Sequence, residues 1–106
     1  MSLPNILIIT THDTGRFIEP YGVTTVETPN LARLAAEGAR FNAYTTAPQC
    51  SPSRASLTTG RYPHANGTMG LTHRDFMWDP HPGEQTIPQV LRTVGYRTCT
   101  QRQEST

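Results

Sequence analysis

The sequence predicts an α/β protein with a mostly parallel sheet. A continuous apolar run lies near the N-terminus, a second strand-like segment follows it, and two helices carry clear start and stop signals. The first run, Pro4-Asn5-Ile6-Leu7-Ile8-Ile9-Thr10, is rich in β-branched residues. Such a run is typical of a strand that is buried on both faces of a parallel sheet.

Polar residues follow this first predicted strand, in the stretch Thr11-His12-Asp13-Thr14-Gly15. Ligands in open α/β sheets bind beyond the carboxyl ends of the strands, so His12 and Asp13 are well placed for a site. A plain turn is an equally good interpretation from these residues alone, because Asp and Gly favour turns.

The first predicted helix runs from Pro29 to Gly38, with Thr28 as its cap. Pro fits the first helical position and Gly stops a helix. Residues 39–44 then read as a second strand that leads towards Cys50.

The chain beyond residue 60 is predicted as loops followed by one more helix. Residues 61–71 form a Gly-punctuated loop, and residues 72–83 read as an irregular surface segment. Thr86 then caps a helix that Gly95 stops, with Ile87, Val90, Leu91 and Val94 on its apolar face. Residues 96–98 start a further strand.

A reactive side chain is predicted just before a short central helix. Ser51 is a good N-cap, Pro52 suits the first helical position and Gly60 suits the position after the end, so the helix should span Pro52 to Thr59. Arg54 lies in the first turn, where the helix dipole disfavours a cation. A cation at this place suggests a partner of opposite charge.

Cys50 allows three interpretations. A buried structural Cys is the ordinary one, because free Cys is among the most buried residue types. A Cys-dependent phosphatase loop fails on spacing, because only three residues separate Cys50 from Arg54. The third is a resemblance: C-S-P-S-R-A-S-L-T-T-G-R resembles the sulfatase signature C-x-P-S-R-x-x-L-x-T-G.

This resemblance implies a fold, a reaction and a modification. The fold is the N-terminal part of an alkaline-phosphatase-like α/β sandwich. The reaction is hydrolysis of a sulfate ester or sulfamate, on a sulfated small molecule or saccharide. In this family a separate formylglycine-generating enzyme oxidises the Cys to formylglycine, whose hydrated aldehyde attacks sulfur. Cys50 would be the nucleophile precursor, and Arg54 would stabilise charge at the sulfate.

The resemblance extends to other segments. P-N-I-L-I-I followed by Asp13 is similar to the sulfatase start, where an acidic pair binds a divalent metal, usually Ca²⁺. Asp13 matches the second acid, whereas His12 stands in the place of the first. Ca²⁺ prefers oxygen ligands and imidazole suits transition metals, so His12 is a departure. The implied metal set is Asp13, His12 and Cys50.

The stretch after the signature resembles one branch of the family. C-S-P-S-R-A-S-L followed by H-x-N-G and G-L is similar to the sulfamidases, which remove sulfate from N-sulfated glucosamine. The matching residues are His64, Asn66, Gly67, Gly70 and Leu71. T-P-N-L and G-Y-R-T are also typical of sulfatases.

The agreement ends after Thr98, which divides the chain into a sulfatase portion at 1–98 and a non-family tail at 99–106. The tail has neither the apolar strand nor the G-K-x-H that the family shows there, so we expect a frameshift and an inactive chain. Besides an active sulfatase, two hypotheses remain: a truncated, inactive remnant, and a phosphoester hydrolase of the same superfamily. The second normally carries Ser or Thr at the nucleophile.

Composition limits the possible partners. The net charge is +1 and all nine basic residues are Arg, without the clustered charge of a nucleic-acid-binding surface. No apolar run approaches the length of a membrane span. The N-terminus has no basic region followed by a long apolar stretch, which predicts a cytoplasmic location for the chain as written.

Overall fold

The computed structural model describes residues 3–73 and 76–101. The chain forms two compact units, Met1–Tyr44 and Thr45–Thr106. Residues 102–106 of the predicted tail lie outside the described residues. No helix in the described ranges is long and apolar enough to cross a membrane.

The first unit contains one α-helix and a short 3-10 turn. The helix, α1, spans Pro29–Glu37, and the turn spans Glu19–Tyr21. The predicted start at Pro29 and stop before Gly38 are confirmed. Thr28 is the N-cap residue, as predicted, but its side chain makes no hydrogen bond to the helix.

Thr28 instead pairs with Glu19. The Glu19 backbone N–H donates to Thr28 Oγ1 at 3.1 Å, and the Thr28 backbone N–H donates to Glu19 Oε2 at 3.0 Å. We call these two hydrogen bonds the Glu19–Thr28 clasp. The clasp fixes the entry of the chain into α1, so the helix start depends on a residue nine positions earlier.

A second polar contact in this unit centres on Tyr21. Its hydroxyl donates to the Phe41 carbonyl at 3.0 Å. The guanidinium groups of Arg16 and Arg40 lie 4.9 Å and 5.6 Å from the centre of its ring. These contacts hold the segment after α1 against the 3-10 turn.

The strands predicted at 4–10, 39–44 and 96–98 are not assigned as strands. Leu7 is 82% and Ile9 is 74% exposed. A parallel strand is stabilised by neighbours from distant parts of a sequence, and the described residues supply none. The parallel sheet therefore stays a prediction.

The second unit contains three helices and a small hairpin. Helix α2 spans Cys50–Thr59, α3 spans Pro63–Asn66 and α4 spans Ile87–Thr93. Strands β1 (Thr72–His73) and β2 (Phe76–Met77) pair antiparallel, with Thr72 opposite Met77. The buried side chains of the described residues all belong to this unit, and they are Pro52, Ala55, Asn66 and Thr68.

Helix α4 has the boundaries that its signals predict. The Thr86 backbone N–H donates to Gln89 Oε1 at 2.7 Å, which is half of a capping box. At the C-terminal end Gly95 has φ +95°. The Tyr96 N–H then donates to the Leu91 carbonyl at 3.1 Å, which closes the last turn.

Candidate active site

Cys50 is the first residue of α2, not the residue before it. The predicted cap at Ser51 and start at Pro52 are therefore wrong by two residues. The reason lies in two hydrogen bonds. The Ser53 N–H donates to the Gln49 carbonyl at 3.2 Å, which makes Gln49 the N-cap. The Ser51 hydroxyl accepts the Thr72 N–H at 3.2 Å and does not cap the helix.

The backbone is strained immediately before Cys50. Gln49 has φ +69° and ψ +159°, a conformation that is nearly restricted to Gly and costs about 1–3 kcal/mol. Ser53 holds it in place: its N–H binds the Gln49 carbonyl, and its hydroxyl donates to the Ala47 carbonyl. The sharp turn that results presents Cys50 at the helix start, where the thiol is exposed. The thiol of Cys50 is therefore not buried by the described residues.

Arg54 lies one turn after Cys50 on α2. Residues four apart share a helix face, with Cβ atoms about 5–6 Å apart. Arg54 is exposed, whereas Pro52 and Ala55 are buried on another side of the helix. The helix therefore packs on Pro52 and Ala55 and keeps Cys50 and Arg54 together on its accessible face.

A cleft of about 430 Å³ opens beside this helix start. It reaches the residue adjoining Cys50, and its walls come from the segment before α2, from α2 and from the region of α3. The residues that line it are Pro48, Gln49, Pro52, Pro63, His64 and Met69. No lining residue carries a carboxylate, so the cleft can accept an anionic molecule without charge repulsion.

Asn66 fixes the segment around α3 that lines one side of the cleft. It is fully buried, and its Nδ2 donates to the Arg61 carbonyl at 3.1 Å and to Thr59 Oγ1 at 3.4 Å. Its Oδ1 accepts the Thr68 N–H at 2.8 Å. The side chain thus joins the end of α2 to the chain on both sides of α3.

The residues after Asn66 pack too closely for larger side chains. Gly67 has φ +92°, and a Cβ added there would lie 2.9 Å from the His81 ring. The His81 N–H also donates to the Asn66 carbonyl at 2.7 Å. Asn66 and Gly67 of the H-x-N-G stretch therefore have packing roles, and His64 is the member of that stretch that faces the cleft.

His12 and Asp13 lie in the first unit. His12 Nδ1 is 3.2 Å from Asp13 Oδ2, and the two side chains are 61% and 88% exposed. Asp13 has φ +52°, and the Thr14 hydroxyl donates to the His12 carbonyl at 3.3 Å. The structure confirms a turn here, and the two side chains contact each other.

This pair does not by itself fit a calcium ion. Ca²⁺ takes about 6–8 oxygen ligands, and the pair offers one carboxylate and one imidazole. Among residues 3–73 and 76–101, no group of three or more His, Cys, Asp or Glu side chains could hold a metal ion. His12 and Asp13 belong to the first unit and Cys50 to the second, so the metal set of Asp13, His12 and Cys50 stays a prediction.

Two elements near the site differ from what the sequence predicts. Residues 61–71 are predicted as loop, yet α3 forms with Pro63 as its first residue and Gly67, with positive φ, just after its end. That Pro-to-Gly spacing is a helix signal that the sequence contains. The hairpin falls in a segment predicted to be irregular, and its two-residue strands are too short to show a pattern.

Comparison with known proteins finds similarity to sulfatases. The family model described as Sulfatase matches residues 4–105. An ulvan-active sulfatase from Formosa agariphila is 37% identical over 103 residues, which cover 88% of this chain and 17% of the relative. The human N-acetylgalactosamine-6-sulfatase is 41% identical over 103 residues, covering 88% and 20%.

A third relative acts on another sugar. The N-acetylglucosamine-6-O-sulfatase of Bacteroides thetaiotaomicron is 37% identical over 98 residues, covering 91% of this chain and 17% of the relative. The chain thus spans about a fifth of the length of these relatives. No solved structure gives a significant match.

Proposed function

This chain belongs to the sulfatase family, and from that premise we propose that it carries the nucleophile of a sulfuric ester hydrolase. Cys50 is the proposed nucleophile precursor and Arg54 the proposed charge-stabilising residue. The observation that carries the proposal is their arrangement within the signature. Cys50 and Arg54 are both exposed and lie one helical turn apart on α2. The strained backbone at Gln49 directly precedes Cys50.

The proposed chemistry requires that Cys50 is converted to formylglycine by a formylglycine-generating enzyme. When formed, this group supplies a hydrated aldehyde whose hydroxyl attacks the sulfur of the substrate. The Arg54 guanidinium, on the same helix face, can hold sulfate oxygens with paired N–H donors. Gln49 and Ser53 maintain the turn, so that the reacting side chain points outward from the start of α2.

A divalent metal, with Ca²⁺ as the family's usual ion, is part of this proposal, with Asp13 as one ligand and His12 beside it. Cys50, in its modified form, is the third proposed member. The described residues do not form a complete metal site. The remaining oxygen ligands would have to come from other residues.

The proposed substrate class is a sulfated saccharide. Three relatives are named for ulvan or for the 6-sulfates of two N-acetylated sugars, and the cleft beside Cys50 has room for a sugar ring. A sulfamate on glucosamine is a second candidate, favoured by the resemblance of residues 50–71 to the sulfamidases. Since Asn66 and Gly67 are explained by packing, only His64 of the H-x-N-G stretch bears on this choice.

A phosphoester hydrolase and an inactive remnant differ from an active sulfatase in measurable ways. A phosphoester hydrolase would hydrolyse aryl phosphates without modification of Cys50. An inactive remnant would be modified and yet hydrolyse nothing. Sulfatase activity of the whole protein requires both the modification and turnover of a sulfated compound.

The modification is tested by mass spectrometry after co-expression of the chain with a formylglycine-generating enzyme. We expect the peptide that contains Cys50 to carry the aldehyde. Cys99 is the internal control, because it is also exposed but lies outside the signature. An unmodified Cys50, with a known sulfatase converted in parallel, would contradict the proposal.

Turnover is tested on the protein that contains this chain, with an aryl sulfate and N-acetylglucosamine 6-sulfate as substrates. We expect Arg54→Ala to lower kcat by about 10²–10³-fold, as for loss of a charge-stabilising donor. Arg33→Ala is the matched control, since Arg33 is an exposed helical Arg outside the signature. Equal activities of the two variants would contradict the role of Arg54.

A further inference from the structure

The side chains that face the cleft suggest what binds there. His64 lines the cleft, and its ring stacks on Tyr62 with 5.8 Å between ring centres and 9° between planes. Tyr62 itself is 75% exposed and does not line the cleft. Tyr62 therefore contacts the imidazole of His64 without itself lining the cleft.

The His64 ring also has unused hydrogen-bonding capacity. A neutral imidazole has one donor and one acceptor nitrogen. No hydrogen bond to either nitrogen is found within the part of the chain that the structure describes. A sugar hydroxyl can both donate and accept, so it matches either nitrogen.

The rest of the cleft is preformed. Pro48, Pro52 and Pro63 have fixed φ angles, and Pro52 is buried. The buried Asn66 fixes the segment after α3 through three side-chain hydrogen bonds. A cleft whose walls are ordered in advance loses little conformational entropy when it is filled.

We propose that this cleft binds the sugar ring of a sulfated saccharide, and that His64, supported by Tyr62, is the residue that selects for the sugar. This inference rests on the proposed function, because it places the sulfate at Cys50 and the ring in the cleft beside it. Met69 and the prolines provide the apolar surface for the ring. Gln49 lies between the cleft and Cys50 and offers an amide to the substituents nearest the sulfate.

Binding is measured with the full chain carrying Cys50→Ala, which needs neither modification nor turnover. The probes are N-acetylglucosamine 6-sulfate and inorganic sulfate, titrated by NMR with the His64 and Tyr62 ring signals as reporters. We expect the sugar sulfate to shift both rings. His64→Ala should weaken its binding about tenfold, the value of one hydrogen bond and its packing, and change inorganic sulfate binding less than about twofold.

Conservative and control variants separate a binding role from a structural one. His64→Asn keeps a donor and an acceptor and should restore part of the affinity. Tyr62→Ala should weaken sugar binding, whereas Tyr44→Ala should not. Tyr44 is the matched control because it is 73% exposed, much as Tyr62 is, and does not contact the His64 ring or line the cleft.

The inference is overturned if the sugar sulfate shifts neither ring, or if His64→Ala changes sugar sulfate and inorganic sulfate binding by the same factor. These results are distinct from failure of the proposed function. The proposed function fails when Cys50 is not modified or no sulfated compound is hydrolysed. The titration tests sugar binding whether or not Cys50 is modified, because it uses the Cys50→Ala variant.

Discussion

Ser53 holds Gln49 in place through its backbone: the Ser53 N–H donates to the Gln49 carbonyl at 3.2 Å. The Ser53 hydroxyl adds a second hydrogen bond, to the Ala47 carbonyl. One residue of the signature therefore controls the turn that precedes Cys50. The role of this serine within the chain is structural, because both of its hydrogen bonds go to the segment before the helix.

The strain at Gln49 leads to a prediction about stability. Gln49→Gly should raise the free energy of unfolding by about 1 kcal/mol, because glycine adopts positive φ without steric cost. Gln85→Gly is the matched control. It should lower stability by about 0.5–1 kcal/mol, because there glycine only adds freedom to the unfolded chain.

Urea denaturation measures both Gln variants. A loss of stability in Gln49→Gly equal to that of Gln85→Gly would show that the turn is not strained. The same variant tests function, because glycine adopts the turn that displays Cys50 without strain. We expect conversion of Cys50 by the modifying enzyme to be no slower in Gln49→Gly than in the unchanged chain.

Burial of the Asn66 side chain predicts a large effect of its removal. Asn66→Ala should destabilise the chain by about 1–3 kcal/mol, because the buried Thr68 N–H and the partly buried Arg61 carbonyl lose their partner. Asn42→Ala is the control, since Asn42 is exposed. Thermal unfolding of the two variants gives the comparison, and similar midpoints would contradict the assigned role.

The close approach of His81 to Gly67 can be separated from backbone strain. Gly67 and Gly83 have nearly equal φ values, +92° and +91°, but a Cβ at Gly83 meets nothing within 4 Å. Both Ala variants should lose about 1 kcal/mol from the positive φ. Gly67→Ala should lose a further 1–3 kcal/mol or so from overpacking against His81.

Chemical denaturation of these two variants measures that difference. A Gly67→Ala variant as stable as Gly83→Ala would mean that the His81 ring moves aside without cost. Removing the ring in a double variant, Gly67→Ala with His81→Ala, should abolish the extra loss. This cycle isolates the contact between the two positions.

The chain is expected to bind Ca²⁺ only weakly. Asp13 is the single carboxylate at the expected metal position, and Ca²⁺ requires several oxygen ligands. Calorimetry should therefore show no binding in the micromolar range. Tight binding that Asp13→Ala abolishes would contradict this. His12→Asp should strengthen binding, because it adds a second carboxylate beside the first.

Local signals predict the helices better than the strands. The end of α1 and the start of α4 depend on Gly38 and Thr86, whose effects act within a few residues. The predicted start of α2 is wrong because Gln49 caps it in a strained conformation, which depends on Ser53 and has no sequence signature. The strand at 4–10 requires partners that local sequence cannot identify, and it stays a prediction.

The candidate site shows the same division. The signature makes Cys50 and Arg54 identifiable, because their spacing on one helix is local. The cleft has no sequence signal. Pro48 and Met69 both line it, but they are separated in the chain by α2 and α3 and come together only when the chain folds. The packing role of Asn66 is also hidden in the sequence, because a buried amide in a Gly-rich segment looks like an ordinary turn residue.

The Glu19–Thr28 clasp turns residues 20–27 into a closed loop with a fixed base. Because the ends of the loop are held by two hydrogen bonds, extra residues at its exposed tip, near Thr24 and Thr25, leave the entry into α1 unchanged. Loop-closure entropy rises slowly, by about 0.6 kcal/mol for each doubling of length. The loop is therefore a natural insertion point for an epitope or a fluorescent label, and a position where homologous chains can differ in length without a change in the helix that follows.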